Sequence, residues 1–369
     1  MTTPPVEAPS MIVRRLEERD LAERREFDLR MYGPGTRQLD DERFSWLYER
    51  NPAGSDEGYD YWVCEFDGAM IGHEGEIRFE LSVAGRERIP AAWGVDLMVD
   101  PRHRARRAGP MLVRNAMARR TVVGSINLSV KGMRAVKQQG LTEMGIVPVF
   151  VRPLDISRIA EQGALPRRLR PVAPLAGPAL RWVDGALRIA GRAASLELHA
   201  VNRFDDRVDE VWQVASTDYP LLSVRDAATT RWRLDERPDR DAFLRYYLGR
   251  RGRTLGYVAM RRSKRTNAMV VLDYLAPVRW VTPLLTMAAL EAKRQGAAAL
   301  VCKTLNPGAA PSLRRAGFVR RDRGFDAAIG WAVHCSDPAL APRVLDPGNW
   351  FITAADGDLE EAISEGQQR

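Results

Sequence analysis

The sequence is poor in the residues that build metal sites and disulfides. It has three cysteines and four histidines, widely spaced and without a Cys-x-x-Cys pair. Because structural zinc sites need clustered thiol or imidazole ligands, this spacing predicts a protein without a bound metal. The scarcity of thiols also fits a reducing compartment.

Long apolar runs are missing as well. No stretch approaches the ~18 consecutive apolar residues of a membrane-spanning helix, and the opening MTTPPVEAPSMIVRRLEERD lacks the apolar segment of a secretory signal. We therefore expect no membrane span and a cytoplasmic location. Proline and glycine are near average usage, and 45% of the residues are hydrophobic, so the chain has enough apolar residues for more than one core.

Positive charge is in excess, with a formal net charge of +8 that comes almost entirely from arginine. Arginine forks match phosphate oxygens in a two-point geometry, so the excess favours a phosphate-bearing ligand. Charge alone does not separate a nucleic acid from a nucleotide cofactor.

One stretch, from Ala91 to Arg120, combines these features. It begins as a strand, WGVDLMV, turns at Asp100-Pro101, continues through an arginine-rich loop and enters an amphipathic helix at Gly109-Pro110. The first amides of a helix have no intrahelical acceptor, and the helix dipole is positive there. The pattern therefore predicts an anion site.

The rest of the first half alternates between strands and helices. We predict a strand at 11–16, helices at 20–32 and 40–50, a hairpin around Asp67-Gly68, a strand at 122–130, a helix at 131–139 that stops at Gly140, and a strand at 146–152. This order indicates a mixed α/β layer.

The second half repeats landmarks of the first in the same order. The matched pairs are Trp46 and Trp232, Pro52 and Pro238, Gly72 and Gly256, Asp96 and Asp273, and Gly140 and Gly317. Five ordered matches predict a duplication. A proline-punctuated, arginine-rich and alanine-rich stretch at 153–200 reads as a connector between the halves.

Two motifs resemble the GNAT superfamily, the Gcn5-related N-acetyltransferases. The family's phosphate loop, Arg/Gln-x-x-Gly-x-Gly/Ala after Val-x-Pro, is similar to VDPRHRARRAGP, with Arg104, Arg107 and Gly109 at its three positions. The family's helix signature, Asn-x-x-Ala-x-x-x-Tyr/Leu-x-x-x-Gly-Phe, is similar to NPGAAPSLRRAGF of the second half. The second half's own loop, 276–283, has no glycine and one arginine.

The resemblance covers about 12–150 and 200–335. It implies an α/β (mixed α+β sheet) fold of two tandem GNAT-like domains, each a mostly antiparallel sheet flanked by helices. The ranges are 11–152 for an N-terminal domain that binds acyl-CoA, 153–200 for the connector and 201–358 for a degenerate C-terminal domain. The chain looks like acyltransferases found with bacterial polysaccharide genes and, more distantly, the FemAB-type aminoacyl transferases.

The resemblance also implies acetyl-CoA or another acyl-CoA as co-substrate, with no metal. The pyrophosphate would lie on the loop amides, and the pantetheine arm would pair with the preceding strand. The implied cofactor-binding residues are Leu97, Met98, Val99, Arg104, Ala105, Arg106, Arg107, Ala108 and Gly109. Arg107 departs from the family because it stands where a glycine is expected.

Amide formation needs a base to take a proton from the acceptor amine. Three carboxylates near the loop are the candidate catalytic residues: Asp96, Glu74 and Glu76. Strand alternation predicts that Asp96 shares a face with Gly94 and Met98.

The family's usual acidic tyrosine is absent, because Val136 and Leu313 take its two positions. The leaving thiolate would then take its proton from water or from a residue such as Tyr48, which otherwise belongs to an apolar packing cluster. The closing segment WFITAADGD resembles the tail of such proteins, and we expect its carboxylates, Asp356 and Asp358, to be solvated.

The leading interpretation is an acyl-CoA-dependent N-acyltransferase, with acetyl transfer to a primary amine of a small molecule or sugar in the first half. Two alternatives stay open. One is a FemAB-like transferase using aminoacyl-tRNA, the single nucleic-acid partner considered. The other is a non-catalytic GNAT-like ligand-binding protein. Both a monomer and a dimer are compatible with the sequence.

Overall fold

The computed structural model describes residues 11–54, 58–161, 194–263, 266–321 and 329–358, with a few isolated positions between 178 and 191. The chain forms two compact units that interleave in sequence. The first unit is built from the described parts of Met1–Glu80, Ile89–Met144 and Trp331–Leu345. The second is built from those of Leu81–Arg88, Gly145–Gly330 and Asp346–Arg369.

Sixteen strands are found in the described residues. They are β1 (Met11–Arg15), β2 (Tyr61–Phe66), β3 (Ala69–Val83), β4 (Glu87–Val99), β5 (Val122–Leu128), β6 (Thr142–Val147), β7 (Val149–Pro153), β8 (Leu196–Val201), β9 (Leu221–Ser223), β10 (Phe243–Arg250), β11 (Arg253–Arg262), β12 (Ala268–Leu275), β13 (Ala299–Lys303), β14 (Val319–Arg320), β15 (Ile329–Cys335) and β16 (Trp350–Phe351).

The described helices flank the two sheets that these strands form. They are α1 (Leu21–Tyr32), α2 (Asp41–Tyr48), α3 (Ala108–Arg119), α4 (Val130–Gln138), α5 (Ile156–Glu161), α6 (Arg207–Ala215), α7 (Ala227–Asp235), α8 (Val278–Arg294), α9 (Ala310–Arg315) and α10 (Ala341–Val344). Among them, none is long and apolar enough to cross a membrane.

The first sheet has the strand order β1-β2-β3-β4-β5-β15-β6. Its first hairpin turns at Asp67-Gly68, where both residues have positive φ, 53° and 74°, as a two-residue hairpin turn requires. β1, β2 and β3 pair in antiparallel fashion, whereas β4 and β5 are parallel. A parallel pair needs a crossover, and α3 provides it.

The second sheet has the order β14-β7-β13-β12-β11-β10-β8. β8, β10, β11 and β12 are antiparallel, and β12 pairs in parallel with β13. The crossover between β12 and β13 is α8. The second unit thus repeats the strand–helix–strand arrangement of β4, α3 and β5.

The first sheet contains three strands from the second half of the sequence, because β9 pairs with β3 and β16 pairs with β9 in addition to β15, whereas the second sheet contains one strand from the first half. β15, near the end of the chain, lies between β5 and β6 of the first sheet, while β7 lies between β13 and β14 of the second. The prediction of a single strand at 146–152 is therefore wrong. Pro148 interrupts it because proline has no amide to donate, and the strands on its two sides belong to different sheets.

Because strands are exchanged, the compact units do not coincide with contiguous ranges. The ranges 11–152 and 201–358 stay a prediction of where the two halves begin and end. Most of the predicted connector, 153–200, lies outside the described residues.

The first unit buries the aromatic cluster that the sequence predicts on its second helix. Phe44, Trp46 and Tyr48 are 6%, 1% and 1% exposed. Asp40 caps this helix by accepting from the amides of Glu42 and Arg43. Burial of each such ring stabilises the fold by about 1.5–3 kcal/mol.

Candidate active site

The pairing of β4 with β5 stops part-way along both strands. It joins Ala91–Trp93 to Val122–Gly124, although β4 continues to Val99 and β5 to Leu128. We call the end of this pairing, at Trp93 and Gly124, the apex. Beyond the apex β4 has no register with β5 among the described residues, and Leu97 is 37% exposed. A strand edge without a partner offers amides and carbonyls to an extended ligand.

The predicted basic loop after β4 is a 3₁₀ turn, Pro101–Arg106, rather than irregular chain. Asp100 caps it by accepting from the Arg102 amide, and it also binds the Arg102 guanidinium at two points, at 3.1 and 2.7 Å. The Arg102 hydrogen bonds are the main reason that the pKa of Asp100 falls to about 2. Arg102 is thus occupied by Asp100.

Arg107 joins this turn to α3 in the left-handed conformation, with φ 63° and ψ 27°. This is the position where the GNAT motif has glycine, the residue that adopts such a φ without strain. An arginine here costs about 1–2 kcal/mol of backbone strain. The sequence departs from the motif in its side chain, while the backbone keeps the conformation that the glycine would favour.

The start of α3 combines helix amides with exposed guanidinium groups. Its first residues are Ala108, which is buried, then Gly109 and Pro110. Within the described part of the chain, no ion pair or hydrogen bond engages the exposed side chains of Arg104 and Arg107. The predicted residues Arg104 to Gly109 therefore lie together at a helix N-terminus, where an anion is favoured.

Arg106 and Gly109 serve packing in this segment. The Arg106 guanidinium lies over the Phe66 ring, 3.7 Å from its centroid. A β-carbon on Gly109 would meet Val99 Cγ2 at 3.6 Å, an ordinary contact. The structure therefore has room at this position for the alanine that the family motif allows.

Asp96 lies in a fully paired polar cluster. Its carboxylate accepts from Tyr48 Oη at 2.7 Å, from Arg43 Nη1 at 3.1 Å and from Gln38 Nε2 at 3.1 Å, and Arg37 Nη2 lies 3.8 Å away. Burial by itself raises the pKa of Asp96, but the two guanidinium groups and the Tyr48 hydroxyl outweigh it and hold the pKa well below its usual range.

The prediction that Asp96 shares a face with Gly94 is wrong. Asp96 has φ 52°, and this left-handed residue breaks the alternation of the strand. Its carboxylate meets Tyr48, which packs over Gly75 of β3, whereas Gly94 faces Glu74, the next residue on the opposite face of β3. The two carboxylates therefore lie on opposite sides of the sheet.

Glu76 is committed to ion pairs at the end of α3. It is fully buried and pairs with Arg119 and, at 3.3 Å, with Arg120. The Arg119 guanidinium also lies 3.3 Å from the centroid of the Trp62 ring. Both arginines therefore hold the Glu76 carboxylate in place, close enough to Glu74 to raise the pKa of that neighbour.

Glu74 differs from both neighbouring carboxylates. It is 4% exposed, and among the described residues it has no hydrogen bond or ion pair. Burial first, and then the nearby Glu76, raise its pKa to about 8. Its Oε1 lies 2.8 Å from the point that a β-carbon on Gly94 would occupy, and Ser125 Oγ lies 3.4 Å from the same point. Glu74 is thus at the apex, next to the first residues beyond the strand pairing.

In the second unit, protein side chains and main chain occupy the positions that correspond to the helix N-terminus and the strand gap of the first unit. The predicted loop at 276–283 is wrong, because α8 begins at Val278, only three residues after β12 ends, and includes Pro283. The Val278 amide at the start of α8 donates to Asp218 at 2.8 Å. A protein carboxylate therefore takes the place that an anion would occupy at this helix N-terminus.

The end of the chain closes the space beyond the β12–β13 pairing. Leu305 pairs with Ile352, and Thr353 Oγ1 donates to Asp273 at 2.7 Å. The expectation of a solvated tail is wrong, since Asp356 and Asp358 are 4% and 7% exposed. We call residues 350–358 the tail segment.

Arg225 binds the tail segment to β12. Its guanidinium donates to Asp273 at 3.1 Å and to Asp356 at 2.7 Å, and Tyr257 donates to the other oxygen of Asp273 at 2.7 Å. Sequence reasoning missed this network and the arginines around Asp96. Arg225 is 48 residues from Asp273 and 131 from Asp356, and partners so far apart leave no local pattern. The Asp-Gly-Asp of the tail is the available signal.

Sequence comparisons leave the family open, whereas structural comparisons define the fold. No protein-family model and no curated protein matches the chain in sequence. Three of the similar solved structures are a GCN5-related N-acetyltransferase from Anabaena variabilis, another from Kribbella flavida, and the Saccharomyces cerevisiae N-myristoyltransferase with bound myristoyl-CoA.

These likenesses cover most of each chain at low identity. The TM-scores are 0.61, 0.57 and 0.51, with identities of 12%, 14% and 12%. The matches span 90%, 92% and 91% of this chain and 75%, 74% and 81% of the others. The chain therefore has a two-domain GNAT fold, and the predicted fold class is confirmed.

Proposed function

We propose that the first unit is an acyl-CoA-dependent N-acyltransferase that acts on a primary amine of a small molecule or sugar. The observation that carries the proposal is that four features lie together along β4: a strand edge, a basic turn, a helix N-terminus and a carboxyl with a raised pKa. The part of β4 beyond its pairing with β5 runs from the apex to a basic turn and a helix N-terminus, and a carboxyl with a pKa of about 8 lies at the apex.

The residues suit a thioester of coenzyme A. The amides at the start of α3 and the side chains of Arg104 and Arg107 would hold the pyrophosphate, and the main chain at 97–99 would pair with the pantetheine arm. The acyl group would then lie towards the apex. The N-myristoyltransferase neighbour, with its bound myristoyl-CoA, supports an acyl-CoA as co-substrate.

Glu74 is the proposed base. Transfer forms a bond between the amine nitrogen and the acyl carbon and breaks the bond from that carbon to sulfur. The proton lost by nitrogen passes to Glu74, directly or through water, and the departing thiolate takes a proton from solvent. A pKa of about 8 suits this task, because a base works best when its pKa is near the working pH.

Asp96 has a positioning role in this proposal. Its depressed pKa makes it a weak base, while its bonds to Gln38 and Arg43 fix α2 and the turn that precedes it. The second unit would be non-catalytic, because Asp218 and the tail segment occupy the corresponding positions. A tandem duplication and a cytoplasmic location remain part of the proposal.

Calorimetric titration with coenzyme A, acetyl-CoA and tRNA tests the proposal, together with a thiol-release assay on a panel of primary amines. We expect one coenzyme A per chain and acetyl-CoA-dependent thiol release. The double variant Arg104→Ala/Arg107→Ala should weaken coenzyme A binding by about 10-fold or more. Arg102→Ala is the matched control, because Asp100 already occupies that guanidinium.

The alternatives predict different results. Binding of tRNA without coenzyme A would support aminoacyl transfer instead. Binding of coenzyme A without thiol release for any amine would support a ligand-binding protein. Equal losses of affinity in the double variant and in Arg102→Ala would contradict the proposed pyrophosphate site.

A further inference from the structure

The apex is closed by aromatic rings on the side of the sheet that carries Tyr48. The Trp93 indole lies directly over Gly124, where any β-carbon would collide with it. Phe79 stacks on the same indole, with ring centroids 5.2 Å apart and an angle of 14° between the planes. Trp93 and Phe79 are 2% and 8% exposed, so this plate is part of the packed interior.

The other side of the apex is closed by the Glu74 carboxyl. Glu74 Oε1 lies 2.8 Å, and Ser125 Oγ 3.4 Å, from the point that a β-carbon on Gly94 would occupy. Glu74 is 4% exposed and has no partner among the described residues. The carboxyl therefore faces the start of the gap between β4 and β5 and presents a polar end to anything that enters it.

The gap is short between this closed end and the strand positions that would hold the thioester. Asp96 is two residues from Gly94, so their Cα atoms are at most about 7 Å apart whatever the local backbone conformation. That length accommodates an acetyl to butyryl group and is too short for an extended octanoyl chain.

We propose that Trp93, stacked on Phe79 over Gly124, limits the donor to short acyl thioesters of the acetyl to butyryl class. This inference rests on the proposed function and specifies its donor. An apolar chain extending past the apex would have to displace the indole on one face or contact the carboxyl on the other. Packed interiors yield little to such intrusion, and burying an apolar chain against a polar group without partners is unfavourable.

The test compares kcat/KM for acetyl-CoA, butyryl-CoA and octanoyl-CoA with one amine acceptor. In the unmodified protein, octanoyl-CoA should be at least ~100-fold poorer than acetyl-CoA. Trp93→Leu should raise the octanoyl-to-acetyl ratio by about 10-fold or more, because the smaller side chain opens the apex. Trp46→Leu is the matched control, since Trp46 is equally buried in the same unit but lies on α2.

Calorimetry with coenzyme A on all three proteins separates the possible failures. Coenzyme A binding together with equal use of octanoyl-CoA and acetyl-CoA by the unmodified protein overturns the chain-length inference alone. An equal change of the ratio in Trp46→Leu also overturns it. If no coenzyme A species binds, the proposed function fails and the inference fails with it. Should Trp93→Leu not fold, the profile of the unmodified protein decides.

Discussion

Three carboxylates on the neighbouring strands β3 and β4 have different properties. Asp96 is held ionised by two arginines, Glu76 forms ion pairs with Arg119 and Arg120, and Glu74 is buried with no hydrogen bond or ion pair to any described side chain. Because burial and the neighbouring Glu76 raise the pKa of Glu74 to about 8, Glu74 is suited to exchange a proton during turnover.

This contrast predicts how turnover depends on pH. The base must be deprotonated, so kcat should rise with pH and level off above about 8, the pKa of Glu74. Glu74→Gln should lower kcat by about 100-fold or more and should remove the rise of kcat with pH (the pH limb), with coenzyme A affinity unchanged. The measurement is kcat between pH 6 and 9.5 with a saturating amine.

Asp96→Asn provides the comparison. A positioning residue should change kcat and the KM of the amine while leaving the pH limb in place. If Asp96→Asn removes the limb and Glu74→Gln retains it, the two roles are reversed. The charged groups that act on Glu74, namely Glu76 on β3 and Arg119 on α3, are unchanged in both variants.

At this scale the sequence predicts which carboxylates lie near the loop, and the structure places Asp96 and Glu74 on opposite sides of the same two strands. The sequence does not predict the separate roles of these two carboxylates. The left-handed φ of Asp96 cannot be read from WGVDLMV, and Arg43 and Tyr48 are some 50 residues away.

Among the elements, the tail segment is the least expected. Its Asp356 shares Arg225 with Asp273, and the guanidinium is buried between the two carboxylates, whose negative charges raise its pKa further against the effect of burial. A buried ion pair gives little net stability when intact, but removing one partner leaves buried charge uncompensated.

Arg225→Met should therefore be strongly destabilising. We expect the free energy of unfolding to fall by about 3–5 kcal/mol, measured by urea denaturation. The tail segment should also become more susceptible to proteolysis. Arg231→Met is the control, because the Arg231–Asp206 pair is exposed and should contribute at most about 1 kcal/mol. Similar losses in the two variants would contradict the anchoring role of Arg225.

Regular elements of the first half follow from local signals. The start of the second helix after Asp40, the Asp67-Gly68 turn and Gly140, with φ 106°, fall where the sequence predicts them. The same rules fail where tertiary packing decides. The run 146–152 becomes two strands, and the arginine-rich loop becomes a 3₁₀ turn that Asp100 caps.

For the whole molecule, the exchanged strands determine what can fold alone. A chain that ends at residue 152 would lack β15 and leave β5 and β6 with unpaired edges, while its β7 would have no sheet to join. We expect such a chain to show no cooperative thermal transition and to aggregate. A chain that ends at residue 358 keeps all the exchanged strands and should melt cooperatively. A cooperative transition in the shorter chain would contradict this prediction.

The exchange of strands also delays completion of the first sheet during synthesis. β6 emerges from the ribosome more than 180 residues before β15, the strand that separates it from β5. At about 5–20 residues per second, the first sheet stays incomplete for roughly 10–40 s. The nascent chain must keep two open strand edges from pairing with each other or with a neighbouring chain for that long, so its yield in cells should depend on the chaperones that hold it.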